Sequence, residues 1–182
     1  MIDIQGMECK VFEFPGDANE GLIAFLELLE NPGETWVSMY GLTLAPFFAH
    51  VKAADANKVP VHLLLDHTQS TGRAEAGLVK DLAESLKFGD LTITTSSMGG
   101  RIWHDKVMVV EDPAGGLPWV WTGSVNISGG GFEQGNVAML TRNRELADSL
   151  IKRFKIQRDW SWQNEAQYQI ANKPASALQP AA

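Results

Sequence analysis

The chain has a single cysteine, Cys9, among its 182 residues. That excludes an internal disulfide and fits a reducing compartment. No apolar run approaches the roughly 18 residues needed to span a bilayer, so stable membrane insertion is not expected. The opening stretch MIDIQGMECKVFEF lacks both a basic start and an apolar signal core, so a cytoplasmic location is expected. Neither an HExxH pattern nor a Cys/His cluster at ligand spacing occurs, and no metal or cofactor is expected. Positive charge is also scarce. Lys and Arg number 15 against 22 Asp and Glu, a net charge of −7. Proteins that bind nucleic acid usually present a basic face. A polyanion site on this chain therefore needs its cations gathered locally.

What is present is ample material for one core, with 45% of residues hydrophobic. Nothing repeats, and no linker divides the chain. We read residues 1–172 as one domain and the polar, Pro- and Ala-rich residues 173–182 as a disordered tail. The pattern alternates strands and helices. Strands are expected over 10–14, 35–40, 59–65, 91–95, 107–110 and 136–140, where short β-branched or apolar runs end at turn formers. Leu22, Phe25, Leu26 and Leu29 recur at helical spacing behind Asp17 and Glu20, which have the form of a capping box. Thr43 is expected to cap a helix with Leu44, Phe47, Phe48 and Val51 inward, and residues 73–87 to form another. Asn143 is expected to cap a last helix reaching about Arg158. The fold class is α/β, a layered mixed sheet flanked by helices.

The chemistry gathers in WHDKVMVVEDPAGGLPWVWTGSVNISGGGFEQGN, residues 103–136. Residues 107–110 read as a buried strand, and side chains alternate along it, so His104 and Lys106 share a face at its leading end. The same alternation puts Ser124 and Asn126 together on the next strand. Residues 112–118, dense in turn formers, join the two as a long hairpin and form a candidate gate. The hairpin then gathers an imidazole, an ammonium, a hydroxyl and a carboxamide around one spot. Such donors around a nucleophile suit a phosphate diester.

This pattern, His104-x-Lys106-(x)4-acid followed by Gly123-Ser124-x-Asn126, resembles the HKD motif of the phospholipase D superfamily. It is most similar to short bacterial endonucleases that carry one motif per chain. Glu111 stands at the motif's Asp position, Asp112 comes one residue late, and the insert before Gly123 is long. Glu111 has the opposite strand parity to His104 and Lys106, so the change is read as one of support. The resemblance implies a phospholipase D-like fold and a homodimer in which two motifs meet. It implies a phosphohistidine on His104, with Lys106, Ser124 and Asn126 holding phosphate oxygens. It also implies that Glu133 accepts a hydrogen bond from the imidazole. Nucleic acid is the expected substrate. A phospholipid, handled by a lipid phosphodiesterase or phosphatidyl transferase, is the first alternative. A non-catalytic module binding nucleic acid or protein is the second.

Other features are read more plainly. His50-Val-Lys52 falls in a helix, where residues two apart face away from each other, so it is a decoy. His67 and Gln69 are read as loop residues near the site rather than parts of it. Parity is expected to place Trp103, Trp119 and Trp121 opposite the reactive side chains, in core or dimer packing. Trp160 and Trp162 are expected to pack the last helix end against the body. Residues 128–131 are expected to form a flexible glycine-rich rim.

Overall fold

A computed structural model describes residues 8–30, 32–94 and 102–172. The strand sequences build a seven-stranded sheet: β1 (Cys9–Glu13), β2 (Thr35–Met39), β3 (Val61–Asp66), β4 (Asp90–Thr94), β5 (Lys106–Val110), β6 (Trp119–Gly123) and β7 (Val137–Arg142). Their order is β1-β7-β6-β5-β2-β3-β4. β2, β3 and β4 run parallel, and every other neighbouring pair is antiparallel. Parallel neighbours need crossovers. These are supplied by α2 (Ala45–Ala56) between β2 and β3, and by α3 (His67–Ser70) with α4 (Ala76–Ser85) between β3 and β4. α1 (Ala18–Glu27), α5 (Gly129–Glu133) and α6 (Arg144–Asn172) complete the layers. The mixed, layered α/β architecture read from the sequence is the one found.

Each sheet face carries its own core. On one, Trp121 has ring centroids of Phe25 and Phe12 at 5.3 and 5.5 Å, and Phe14, Phe47 and Phe132 extend the cluster. On the other, α6 lays Ala147 and Phe154 over Trp36, Leu64, Val109 and Val120. Asn143 caps that helix through Leu146 N–H to its Oδ1, 2.8 Å. The helix runs well beyond Arg158, to Asn172. Past its midpoint Trp162 donates Nε1–H to Thr92 Oγ1 at 2.9 Å, fixing this part of the helix over β4.

Several local expectations change. The capping box at Asp17 does not form, because Asp17 Oδ2 takes the Glu13 N–H at 2.7 Å and Glu20 pairs with Lys10. α2 starts after Leu44 rather than Thr43, whose N–H is bound by Ile127 O. The segment 73–87 yields a shorter α4, preceded by one separate turn at α3. Trp119 and Trp121 pair with Val110 and Met108, which places them on the Lys106 face of β5. The hairpin register, not the count along the sequence, sets that parity. Both still pack into the core, whereas Trp103 lies with the α6 cluster. Residues 128–131 are not a loose rim: Ser128 Oγ caps α5 through the Gly131 N–H at 3.1 Å. The expected tail at 173–182 lies outside the described residues. No described helix is long and apolar enough to cross a membrane.

Candidate active site

The reactive residues collect where parallel β2 and β3 end and antiparallel β5 begins, the sheet edge at which α/β folds place ligands. Met39 at the end of β2 pairs with Lys106 at the start of β5. Val107 pairs with Thr122, so one step further Lys106 stands beside Gly123, and the Ser124 loop leaves the sheet at the same edge. A Cβ at Gly123 would lie 2.1 Å from Val137 O, so only glycine permits this approach of β6 to β7. Ser124 then fastens the exit, its N–H donating to Val137 O at 2.8 Å and its Oγ accepting the Val137 N–H at 3.0 Å.

Asn126 crosses to the loop after β2. There its Oδ1 accepts the Gly41 N–H at 3.2 Å, while Ile127 N–H donates to Gly41 O at 3.0 Å. Because the oxygen is engaged, the carboxamide is held in one orientation and Nδ2 is its donor end. Lys106 is only 4% exposed, yet its ammonium donates to a single described acceptor, His104 O, at 3.2 Å. Burial holds its pKa below the ordinary lysine value, against the opposing pull of Asp105 and Asp66. A buried ammonium with unspent donors is arranged to meet an anion. His104 is exposed just before β5, its ring centroid 4.8 Å from that of Tyr40.

Two acids hold the backbone around His104. Buried Asp66, at the end of β3, accepts the Gln69 N–H at 3.0 Å and the Trp103 N–H at 2.7 Å. Asp105 accepts two bonds from Arg153, at 2.6 and 2.9 Å, and one from Ser38 Oγ at 3.0 Å. The sequence reading missed both acids, together with Tyr40. An acid closing an otherwise apolar strand was the available signal for Asp66.

The structure brings His104, Lys106, Ser124 and Asn126 to one edge. Glu133 ends α5, exposed, and hydrogen-bonds to none of the described residues, so it does not reach the imidazole here. Glu111 lies at the far end of β5 from Lys106 and pairs with Arg144 through both oxygens at 2.8 Å. The insert 112–118 sits at that far end as well, fastened by Arg142 to Asp112 and to Leu117 O. It is therefore not a gate. Glu111→Ala is expected to cost about 0.5–1 kcal/mol, the value of a partly exposed ion pair. Turnover should stay within about twofold of wild type, since no reacting group is touched. Urea unfolding and a rate assay, run together, check this. A large loss of rate at unchanged stability would give Glu111 a direct role.

A solvent-facing imidazole, a buried ammonium and an amide thus meet at one sheet edge. The chain belongs to the phospholipase D superfamily: the family described as "Cardiolipin synthase, PLD-like domain" matches residues 26–160. Its fold is similar to NucT from Helicobacter pylori, with a TM-score of 0.70 and 16% identity, covering 83% of this chain and 95% of that one. It is also similar to Nuc from Salmonella typhimurium, a phospholipase D family member, with a TM-score of 0.67 and 22% identity, covering 83% and 93%. A phosphatidylserine synthase from Haemophilus influenzae shares the fold at a TM-score of 0.61 and 9% identity, and this chain covers 39% of it. No curated protein matches the chain significantly.

Proposed function

We propose that this protein is a nuclease, a phosphodiesterase that acts without a metal through a phosphohistidine on His104 at a site shared by two copies of the chain. The observation that carries the reading is the grouping of His104, Lys106 and Asn126 at one edge, with one motif histidine per chain. The reaction needs two. His104 attacks phosphorus, forming an N–P bond as the P–O bond to the leaving group breaks, and the partner subunit's His104 protonates that oxygen. Water then attacks phosphorus and gives its proton to the same partner histidine, the N–P bond breaks, and His104 is restored. Lys106 and the Asn126 amide, with Ser124, donate to the non-bridging oxygens as charge develops on them.

Nucleic acid is favoured over lipid by where the cations lie. Of the 15 Lys and Arg residues, Arg144, Lys152, Arg153, Lys155 and Arg158 fall on one stretch of α6. Lys152 and Arg153, with Trp103, Ser149, Ile156 and Gln157, line an open groove of about 400 Å³, and Trp103 directly precedes His104 in the chain. Arg144, Arg153 and Arg158 are ion-paired with Glu111, Asp105 and Asp90, so Lys152 and Lys155 are the cations of this stretch left to meet a polyanion.

The test is cleavage of plasmid DNA and of bis(p-nitrophenyl) phosphate in excess EDTA, with wild type and His104→Asn side by side. Turnover by wild type alone is expected. Its loss in EDTA, or its survival in the variant, would overturn the mechanism. Binding of DNA should weaken steeply with salt through counterion release. A flat response, together with turnover of phospholipid vesicles, would move the assignment to lipid.

A further inference from the structure

We propose that Tyr40, held by Gln69, is the positioning residue of this site, fixing both the His104 ring and the Lys106 ammonium; the proposal rests on the assignment of those two residues above. The mechanism asks His104 to present one nitrogen to phosphorus in a set orientation, and something must hold the ring. Glu133 does not reach it, and His104 itself is exposed. Tyr40 does reach it. Its ring centroid lies 4.8 Å from the imidazole centroid with the planes at 60°, and Lys106 Nζ sits 5.0 Å from the same centroid. One aromatic ring therefore contacts the two groups whose relative placement decides whether phosphorus meets nucleophile and cation together. Its electron-rich face also favours a nearby ammonium, the more so because Lys106 is buried.

The ring is itself held from both ends. At the backbone, Tyr40 N–H donates to Asp105 O at 2.8 Å, tying it to the residue between His104 and Lys106. At the tip, the Tyr40 hydroxyl accepts a hydrogen bond from Gln69 Nε2 at 2.8 Å. Gln69 is set in turn by Asp66, whose Oδ1 caps the single turn of α3 through the Gln69 N–H. The second oxygen of Asp66 takes the Trp103 N–H, one residue before His104. The strand end after β3 thus reaches His104 by two routes, one through Trp103 and one through Gln69 and the Tyr40 hydroxyl. Convergence of both routes on the nucleophile is what separates a positioning role from ordinary packing. A phenol present for packing alone would need neither the Gln69 amide nor the buried carboxylate behind it.

The experiment compares Tyr40→Phe, Tyr40→Leu, Gln69→Leu and the double variant Tyr40→Phe/Gln69→Leu for kcat and KM on bis(p-nitrophenyl) phosphate. Circular dichroism melts accompany the rates, and histidine side-chain NMR spectra provide a second readout. Tyr40→Leu is expected to lower kcat roughly 10- to 100-fold with KM little changed, the scale of a misplaced reacting group. Tyr40→Phe keeps the ring and should lose about fivefold or less, the value of one neutral hydrogen bond. Gln69→Leu should match it, and the double variant should lose no more than either single one, because both remove the same link. Equal, additive losses would show Gln69 acting apart from Tyr40 and overturn the proposal, as would an unchanged kcat in Tyr40→Leu.

The NMR readout needs no turnover. His104 resonances displaced by the Tyr40 ring current should persist in Tyr40→Phe and move to free-imidazole positions in Tyr40→Leu. If wild type cleaves nothing, the nuclease assignment falls while this readout still decides the positioning. His104 resonances indifferent to Tyr40→Leu would end it.

Discussion

His104→Asn is expected to lower phosphodiester turnover by roughly 10⁴-fold or more, the scale seen when a covalent nucleophile is removed. Asparagine is uncharged, comparable in size, and able neither to attack phosphorus nor to carry a proton through the cycle. Stability should hold, because His104 is exposed and its aromatic neighbour Tyr40 keeps its own anchors at Gln69 and Asp105. A thermal melt separates loss of chemistry from loss of fold.

The same variant also probes the shared site. A dimer holding one wild-type and one variant chain has one imidazole where the proposed cycle needs two, so it should be inactive. Wild type refolded with an equal amount of His104→Asn should retain roughly one quarter of its starting activity per site rather than one half, as random pairing of subunits dictates. Activity falling only in proportion to dilution would mean that each chain works alone. The two-histidine mechanism would then have to be abandoned even if His104 remained essential.

The strands and the reactive cluster were legible because their signals are local. The apolar run 59–65 and the β-branched run 107–110 are short, which favours buried strands over helices, and the spacing of His104 and Lys106 is short enough to survive any error in the rest. What failed depended on distance. Parity was carried from Trp103 to Trp119 and Trp121 across a loop whose length resets it, and the register with Met108 and Val110 turned both rings to the other face. The insert 112–118 looked like a gate because it is close to the motif in sequence. It lies a strand length from Lys106, at the opposite edge of the sheet. Asp17 satisfied a capping pattern, yet the Glu13 N–H was the nearer donor. Tyr40, Asp66 and Asp105 carry no motif of their own. Each matters because the parallel crossover brings the ends of β2 and β3 up against the start of β5, and that meeting cannot be counted along one chain. Glu111 is the converse case. It occupies a motif position, but its work in the structure is to hold α6 through Arg144.

Glu75→Gln is expected to make the protein more stable than wild type at pH 8 and to remove a pH dependence that wild type shows between pH 4.5 and 7. Glu75 is 2% exposed. Its Oε1 accepts the Leu42 N–H at 2.6 Å, while Oε2 is buried without a hydrogen-bond partner among the described residues. Burial, with a smaller contribution from the charge on Asp66, raises its pKa from 4.5 to about 7, against the Leu42 N–H, which favours the carboxylate. The folded state therefore holds this proton more tightly than the unfolded chain does. The stabilisation is fully present below pH 4.5, declines as pH rises, and is gone above about 7. Its size is on the order of 3 kcal/mol, from about 1.4 kcal/mol per pH unit across that interval. Glutamine keeps an oxygen for Leu42 N–H and has no proton to lose, so the difference between the two proteins isolates this one group. Every other titrating group is common to the two proteins and cancels in the comparison. Urea unfolding of both proteins at pH 5, 6, 7 and 8 measures it, and parallel curves would show that Glu75 is ionised in the fold throughout. The consequence reaches the site, because Leu42 follows Gly41, whose N–H holds the Asn126 carboxamide. Ionisation of Glu75 therefore places an unfavourable buried charge one residue from the backbone that holds Asn126. The same pH series run on kcat should then show wild type falling behind Glu75→Gln above pH 7, with no such gap at pH 6.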